Sequence, residues 1–441
     1  MDDKELATLS TGYGYQPRFV EDLEDINRDL AASMQWAIDE IRSIQKAARS
    51  GKPIYKPHWP VLIMRTPKGW SGPKVVDGQF VEGSFHSHQV PLMKTKTDDG
   101  QLKDLQTWLL SYDPKTLFQD NGDIVDLIRE ILLLKEEKKL GQRVETYNLH
   151  EKLKVPDWKQ FSVDVGSELS CMKTIARFID QALVDNPHVL GVFSPDELER
   201  YTLTGGTAIL PSYESFLGII HTMMVQYSKF NKMARETNWR TNISSINYIE
   251  TSTWTRQEHN GFSHQNPSFI GAVLNLKPHT ARVYLPPDAN TFLSTLAHCL
   301  RSVNYVNLMV GAKHPVPVFL SVDEADRHCQ AGASIWKFAS TDNGLNPDVV
   351  LVGIGCEVMF EVVAAASVLR RRCPALRVRV INVTDLMILE SETLHPHALT
   401  RQDFETLFTA DKPIHFNYHG YINEIKGLLF GRPNLERELR E

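Results

Sequence analysis

Residues 348–383 constrain the fold most. Asp348-Val-Val-Leu-Val-Gly-Ile-Gly355 is an apolar run of strand length, 358–371 carries helical periodicity, and Ala375-Leu-Arg-Val-Arg-Val-Ile-Asn-Val383 is a second strand. Two strands joined by a crossover helix lie parallel in one sheet. A parallel sheet in turn needs helices over both faces. The chain is therefore predicted to be α/β. Gly353 and Gly355 form a GxG, but no third glycine follows at dinucleotide spacing, so the pair predicts a tight turn rather than a nucleotide site.

The rest of the chain repeats this grammar. Leu23, Ile26, Leu30, Met34, Ile38, Ile41 and Ile44 recur at helical spacing, predicting one long amphipathic helix over 22–49, ended by Gly51 and Pro53. Val61-Leu-Ile-Met64 reads as a buried parallel strand running into the loop Arg65-Thr-Pro-Lys-Gly-Trp-Ser-Gly-Pro-Lys74, at the strand end where open α/β sheets place ligands. Two charged helices follow over 99–140, broken at Asp113-Pro114 and Asn121-Gly122. Further on, 172–184 suits a helix and 189–193 a strand. Tyr213-Glu-Ser-Phe216 opens an apolar helix reaching Phe230. Strand-like pieces lie at 246–249, 281–285 and 317–320, and Pro286-Pro-Asp-Ala-Asn290 makes a strand-to-helix corner. The polar stretch 141–163 has the composition of a linker.

At 441 residues the chain has length for two or three domains. Its net charge of -6 and lack of basic runs argue against a nucleic-acid footprint or a membrane surface. No apolar stretch approaches a membrane span. The acidic start Met1-Asp-Asp-Lys-Glu5 is neither a secretory signal nor a transit peptide. The five cysteines, Cys171, Cys299, Cys329, Cys356 and Cys373, form no CxxC pair and no metal-ligand spacing. They read as buried small side chains in a reducing compartment, and the expected location is cytoplasmic.

The densest chemistry lies in Trp254-Thr-Arg-Gln-Glu-His-Asn-Gly-Phe-Ser-His-Gln-Asn-Pro267. Asn260-Gly261 is turn chemistry and Pro267 interrupts a helix, so this is a loop. His259 and His264 titrate near neutrality. On residue type alone, solvated imidazoles and catalytic ones both fit.

That loop resembles the signature of the phosphoketolases, thiamine-diphosphate enzymes that cleave ketose phosphates. The resemblance runs through Thr66-Pro-Lys-Gly-Trp70, Gly83-Ser-Phe-His-Ser-His-Gln-Val-Pro-Leu92, Tyr213-Glu-Ser-Phe216, Tyr284-Leu-Pro-Pro-Asp-Ala-Asn290, His298-Cys-Leu-Arg-Ser-Val-Asn-Tyr-Val-Asn307, Phe408-Thr-Ala-Asp-Lys-Pro413 and Tyr418-His-Gly-Tyr421. It implies transketolase-like domains with mostly parallel sheets. Residues 1–145 would be the C-terminal part of an incomplete diphosphate-binding domain. Residues 146–335 would be the pyrimidine-binding domain with an internal deletion, and 336–441 a shortened C-terminal domain. The implied reaction splits xylulose 5-phosphate or fructose 6-phosphate with inorganic phosphate into acetyl phosphate and an aldose phosphate, using thiamine diphosphate and Mg²⁺.

By motif position, His88, His259 and His264 match the family's catalytic histidines, whereas His86 has no such match. Lys68, Arg240, Gln257 and Lys313 match phosphate-binding positions, as phosphates need cationic and amide partners. Tyr213 and Phe216 match aromatics that pack on the cofactor's pyrimidine; helical spacing alone would make them core residues. The implied partners are the ketose phosphate, inorganic phosphate and a second subunit, as a homodimer or a pairing with a full-length subunit.

Four features depart from the family pattern. Glu258 stands where the family has aspartate, and no Gly-Asp-Gly magnesium motif occurs. No Ser-Glu-His, whose glutamate activates the aminopyrimidine, occurs either; Glu199-Arg-Tyr-Thr-Leu203 joins its flanks directly. The family's C-terminal domain continues beyond Phe430-Gly-Arg-Pro-Asn434. These departures leave open a remnant that binds sugar phosphate without catalysis, or an incomplete gene translation.

Overall fold

The computed structural model describes residues 2–88, 90–132, 152–193, 206–237, 242–251 and 265–432. The chain divides into two compact units, 1–134 and 135–441. Among the described residues, no helix is long and apolar enough to cross a membrane.

The first unit is built on one parallel strand pair. Helix α1 (Asp3–Gly12) leads into β1 (Tyr15–Val20), and α2 (Ile26–Arg49) crosses over to β2 (Trp59–Met64), in register from Tyr15↔Trp59 to Val20↔Met64. Helix α2 begins at the Asp25 cap, close to its predicted start. Only part of its expected stripe is covered: Ile26 and Ile44 are buried, while Leu23 just before the helix, Met34 and Ile38 stay exposed. Beyond β2, a short antiparallel hairpin pairs Val75–Val76 with Gln79–Phe80, which the sequence reading does not contain. Helix α3 (Asp99–Leu110) follows, and Val76, Val81 and Leu92 form a small core with Leu105 and Trp108.

Among its described residues, the second unit contains two larger sheets and a two-stranded antiparallel pair of Glu168–Ser170 with Pro315–Pro317. Helix α4 (Cys171–Asp185) precedes β3 (Leu190–Val192) and β4 (Thr207–Ser212); α5 (His221–Glu236) precedes β5 (Ile246–Glu250). Next come β6 (Ala281–Tyr284), α6 (Ala289–Arg301) and β7 (Val306–Val310). The sheet order is β3-β4-β5-β7-β6, parallel throughout. Strand β5 is buried at every position. Its Asn247 is satisfied by donating to the Ala208 carbonyl (3.1 Å) and accepting from the Asn307 amide (2.8 Å). The predicted corner at Asp288 caps α6: its carboxylate accepts from the Thr291 amide at 2.9 Å and from the Phe319 and Leu320 amides at 2.8 and 3.1 Å.

Helix α7 (Val322–Ala331) and β8 (Ala333–Ile335) lead to the βαβ unit foreseen above. It comprises β9 (Val349–Ile354), α8 (Cys356–Arg372) and β10 (Val378–Val383), followed by α9 (Arg401–Phe408), β11 (Ile414–Tyr418) and α10 (Ile422–Leu429). The order is β8-β10-β9-β11, parallel except for β8, which runs antiparallel at the edge. The two sheets share their cores: Leu210, Tyr248 and Val283 belong to one apolar cluster with Val352, Ile381 and Leu428.

Three local readings need correction. The helix expected from Tyr213 to Phe230 breaks into Glu214–Leu217, a 3-10 turn Gly218–Ile220 and then α5. Glycine at 218 weakens the continuous helix that apolar periodicity suggested. The strand expected at 317–320 instead covers Pro315–Pro317, because the Phe319 and Leu320 amides are taken by Asp288. Cys373, at the C-cap of α8, is exposed rather than buried.

Candidate functional site at the strand ends

Strands β4, β5 and β7 end level with one another: Ser212 pairs with Glu250, and Glu250 with Val310. The segments that leave them, beginning at Tyr213, Thr251 and Gly311, therefore emerge along one edge of the sheet. In the second sheet Ile354 pairs with Tyr418, so Gly355 and His419 leave together. The C-terminal edge of parallel strands is where open α/β folds hold ligands.

Lys313, half-buried just beyond β7, extends its ammonium over the Tyr213 ring, 5.1 Å from the centroid, with Nζ 3.4 Å from the Tyr213 hydroxyl. Tyr213 meets Phe216 edge to face, centroids 5.9 Å apart. Three of the expected site residues thus gather here although 100 positions separate Tyr213 from Lys313. A cation fixed beside an aromatic pair offers both an anion partner and a flat apolar surface.

In the first unit the loops carrying Lys68 and His88 are also brought together. The Gly83 amide donates to the Lys68 carbonyl at 2.8 Å. Gly69, at φ +75, lies so close to Ser87 that a side chain there would meet the serine Cβ at 2.5 Å. Glycine is needed at that position for both reasons. Trp108 Nε1 and the Tyr112 hydroxyl each donate to the Ser71 carbonyl, at 2.9 and 3.0 Å, and pin the loop from α3. Lys68 and His88 are exposed; His86 stacks obliquely on Phe85. The remaining expected residues, Arg240, Gln257, His259 and His264, lie outside the described residues, as does Glu258.

Beside Tyr213 is a group that sequence reasoning passed over. Glu214, Glu250 and His419 are fully buried, and one ligand atom from each lies within 4.8 Å of the others. His419 Nε2 is 2.6 Å from Glu214 Oε1, while Glu214 Oε2 accepts from the Asn266 amide at 3.1 Å. Burial, then the neighbouring Glu214 and Glu424 carboxylates, push the Glu250 carboxyl well above the usual range. The GxG turn explains how His419 fits: at Gly355, φ +114, a Cβ would come within 2.8 Å of the His419 Cβ. Tyr213-Glu-Ser-Phe216 and Tyr418-His-Gly-Tyr421 both stood out as motifs, but neither marked Glu214 or His419. The available signal was Glu250, a carboxylate closing a strand buried at every position.

A separate polar cavity of about 450 Å³ lies against the edge strand β6, lined by Tyr284, His298, Arg301, Asp385 and His397 among others. Asp385 pairs with His397 Nδ1 at 2.8 Å. Burial and the Arg282 guanidinium, whose NH1 is 3.0 Å from His298 Nε2, lower that imidazole's pKa to about 4. Among the described residues, none of the expected site residues lines this cavity.

The aromatic pair fits the flat pyrimidine ring implied for the cofactor. The fit is partial, because the sequence contains no Gly-Asp-Gly to place a magnesium-bound diphosphate.

Comparison with known proteins bears on these arrangements. Residues 1–151, 197–302 and 313–439 match, in turn, the XFP N-terminal domain, D-xylulose 5-phosphate/D-fructose 6-phosphate phosphoketolase, and the XFP C-terminal domain. A probable phosphoketolase of Schizosaccharomyces pombe is 49% identical over 474 residues, covering 98% of this chain and 57% of that protein. Probable phosphoketolase 2 of a Nostoc species is 39% identical over 487 residues, covering 98% and 61%. The chain thus spans less than two thirds of the length of these relatives. Among solved structures, transketolase from Campylobacter jejuni aligns with TM-score 0.55 at 13% identity, over 97% of this chain and 63% of that one. Transketolase from Leishmania mexicana gives 0.53 at 13% identity, over 96% and 61%. At that identity the likeness is one of fold.

Proposed function

The chain belongs to the phosphoketolase family, and we propose that it supplies that family's grip on a ketose phosphate and on the pyrimidine end of thiamine diphosphate. The reaction served is phosphorolytic cleavage of xylulose 5-phosphate or fructose 6-phosphate to acetyl phosphate and an aldose phosphate. The observation that carries this reading is Lys313 held over Tyr213 beside Phe216 at the strand ends.

When bound, thiamine diphosphate supplies the carbon nucleophile. This chain's own residues bind and orient. Lys313 offers a half-buried charge to a phosphate oxygen, where a charge-assisted hydrogen bond is stronger than at an open surface. The Tyr213–Phe216 pair offers aromatic faces to the pyrimidine. Lys68 and His88, on neighbouring loops of the first unit, enter this reading through their motif positions, as a cation and an imidazole. Arg240, Gln257, His259 and His264 enter this reading through their motif positions.

Catalysis by this polypeptide alone is not part of the proposal. The sequence has neither the Gly-Asp-Gly magnesium motif nor the Ser-Glu-His glutamate. Losing a positioned acid or base costs about two to four orders of magnitude in rate. We therefore assign it binding, with turnover completed only beside a full-length subunit. The test traps acetyl phosphate as its hydroxamate from the purified chain with thiamine diphosphate, Mg²⁺, phosphate and either ketose phosphate. No hydroxamate is expected. Clear turnover would overturn the division between binding and catalysis.

A further inference from the structure

The phosphoketolase reading leaves the Glu214–Glu250–His419 cluster without a task. Its members come from three strand ends: Glu214 follows β4, Glu250 closes β5 and His419 follows β11. All three are buried, at 1%, 0% and 1% exposure. Neither oxygen of Glu250 has a hydrogen-bond partner among the described residues, although both are sealed from solvent. Buried carboxylates are almost always paired, because removing one from water without a partner is costly. Glu250 moreover faces a second carboxylate, Glu214, across the cluster.

Nearby polar groups do not resolve this. Glu424, the next carboxylate, accepts from the Tyr418 hydroxyl at 2.6 Å and the Tyr421 amide at 3.1 Å. What meets two carboxylate oxygens and an imidazole nitrogen within 4.8 Å of one another is a small cation between them. The donor set also selects its class. Mg²⁺ and Ca²⁺ favour oxygen-only shells, whereas carboxylate mixed with imidazole suits first-row divalent ions. Three protein ligands leave a further coordination position open.

We propose that Glu214, Glu250 and His419 form a binding site for one first-row divalent cation, Zn²⁺ or Mn²⁺. The ion ties β4 and β5 of one sheet to β11 of the other, through Glu214, the residue that follows Tyr213. Bare Gly355 is part of the design, since a side chain there would displace His419.

The test strips the whole chain with chelator and titrates Zn²⁺, Mn²⁺ and Mg²⁺ separately by calorimetry. One equivalent of Zn²⁺ or Mn²⁺ should bind more tightly than Mg²⁺. Glu250→Gln and His419→Ala should each weaken binding at least about tenfold. Glu250→Gln keeps the shape and removes the buried charge, so the metal-free variant should melt no lower than metal-free wild type. Added metal should then raise the melting temperature of wild type only. X-ray absorption on the loaded wild type supplies a readout independent of the variants: nitrogen and oxygen ligands support the site. Sulfur ligation, which would point to Cys373 or another cysteine, overturns it. No stoichiometric binding, or binding unchanged in Glu250→Gln, overturns it as well.

Discussion

The two units use the same βαβ grammar to different extents. In the second, nine strands form two sheets whose faces share cores, and Leu210, Tyr248, Phe292, Leu308 and Val352 are wholly or almost wholly buried. In the first, α2 crosses over a single parallel pair, and Leu23, Met34, Ile38, Trp59 and Met64 remain exposed. A parallel sheet is stable when both faces are covered. The second unit meets that condition with its own residues, while the first does so over only part of its apolar surface. Side chains of the same type should therefore matter unequally in the two.

The largest expected contrast is in packing. Phe292→Ala, which empties a fully buried site under α6, should cost about 3–5 kcal/mol. Met34→Ala on the exposed flank of α2 should stay within about 0.5 kcal/mol. Denaturant midpoints of the two variants, each read at unchanged slope, check this; equal losses would break the comparison.

Ion pairs sharpen it. Arg379 Nε meets Asp342 at 2.8 Å with both side chains buried, and the same guanidinium donates to the Thr406, Leu407 and Leu345 carbonyls. Arg379→Ala strands a buried carboxylate and should cost about 3–5 kcal/mol. Arg65 pairs with Asp3 and Glu21 at the surface of the first unit. Arg65→Ala should cost about 0–1 kcal/mol, and that little should shrink further in salt. Thermal melts at two salt concentrations separate the two.

Titration gives a smaller contrast. His328 is buried between α7, β8 and β10, where Nδ1 meets Ser334 Oγ at 2.7 Å and Nε2 meets Asn382 and Thr384 at 2.8 Å. Burial lowers its pKa to about 4 from the ordinary 6.5. Between those values the unfolded chain binds the proton more tightly than the folded one. Stability is thus complete above pH 6.5 and falls as the pH drops towards 4, by up to about 3 kcal/mol. His328→Gln should flatten stability against pH within that window. An unchanged slope would mean that other groups carry the acid sensitivity.

How legible these features were in the sequence follows the same divide. The βαβ unit at 349–383 and the capped corner at Asp288 appeared because apolar runs and capping residues are local signals. The stripe of α2 was equally clear as periodicity, yet periodicity marks an apolar face without saying what covers it. The antiparallel edge strand Ala333–Ile335 was not legible, since it is decided by long-range packing, and the break at Gly218–Ile220 was passed over although Gly218 was its local signal. At the site, motif positions named Tyr213, Phe216 and Lys313, which the fold gathers. They did not name Glu250, whose significance depends on Glu214 and His419 arriving from distant strands.

The most direct test of the account is calorimetric titration of the purified chain with fructose 6-phosphate and with xylulose 5-phosphate, comparing wild type, Lys313→Ala and the exposed-lysine control Lys337→Ala. A hydrogen bond to a charged group is worth about 1.5–3 kcal/mol. The account predicts binding that weakens roughly 10- to 100-fold in Lys313→Ala and is unchanged in Lys337→Ala. Absence of binding by wild type, or equal affinity in wild type and Lys313→Ala, would contradict it.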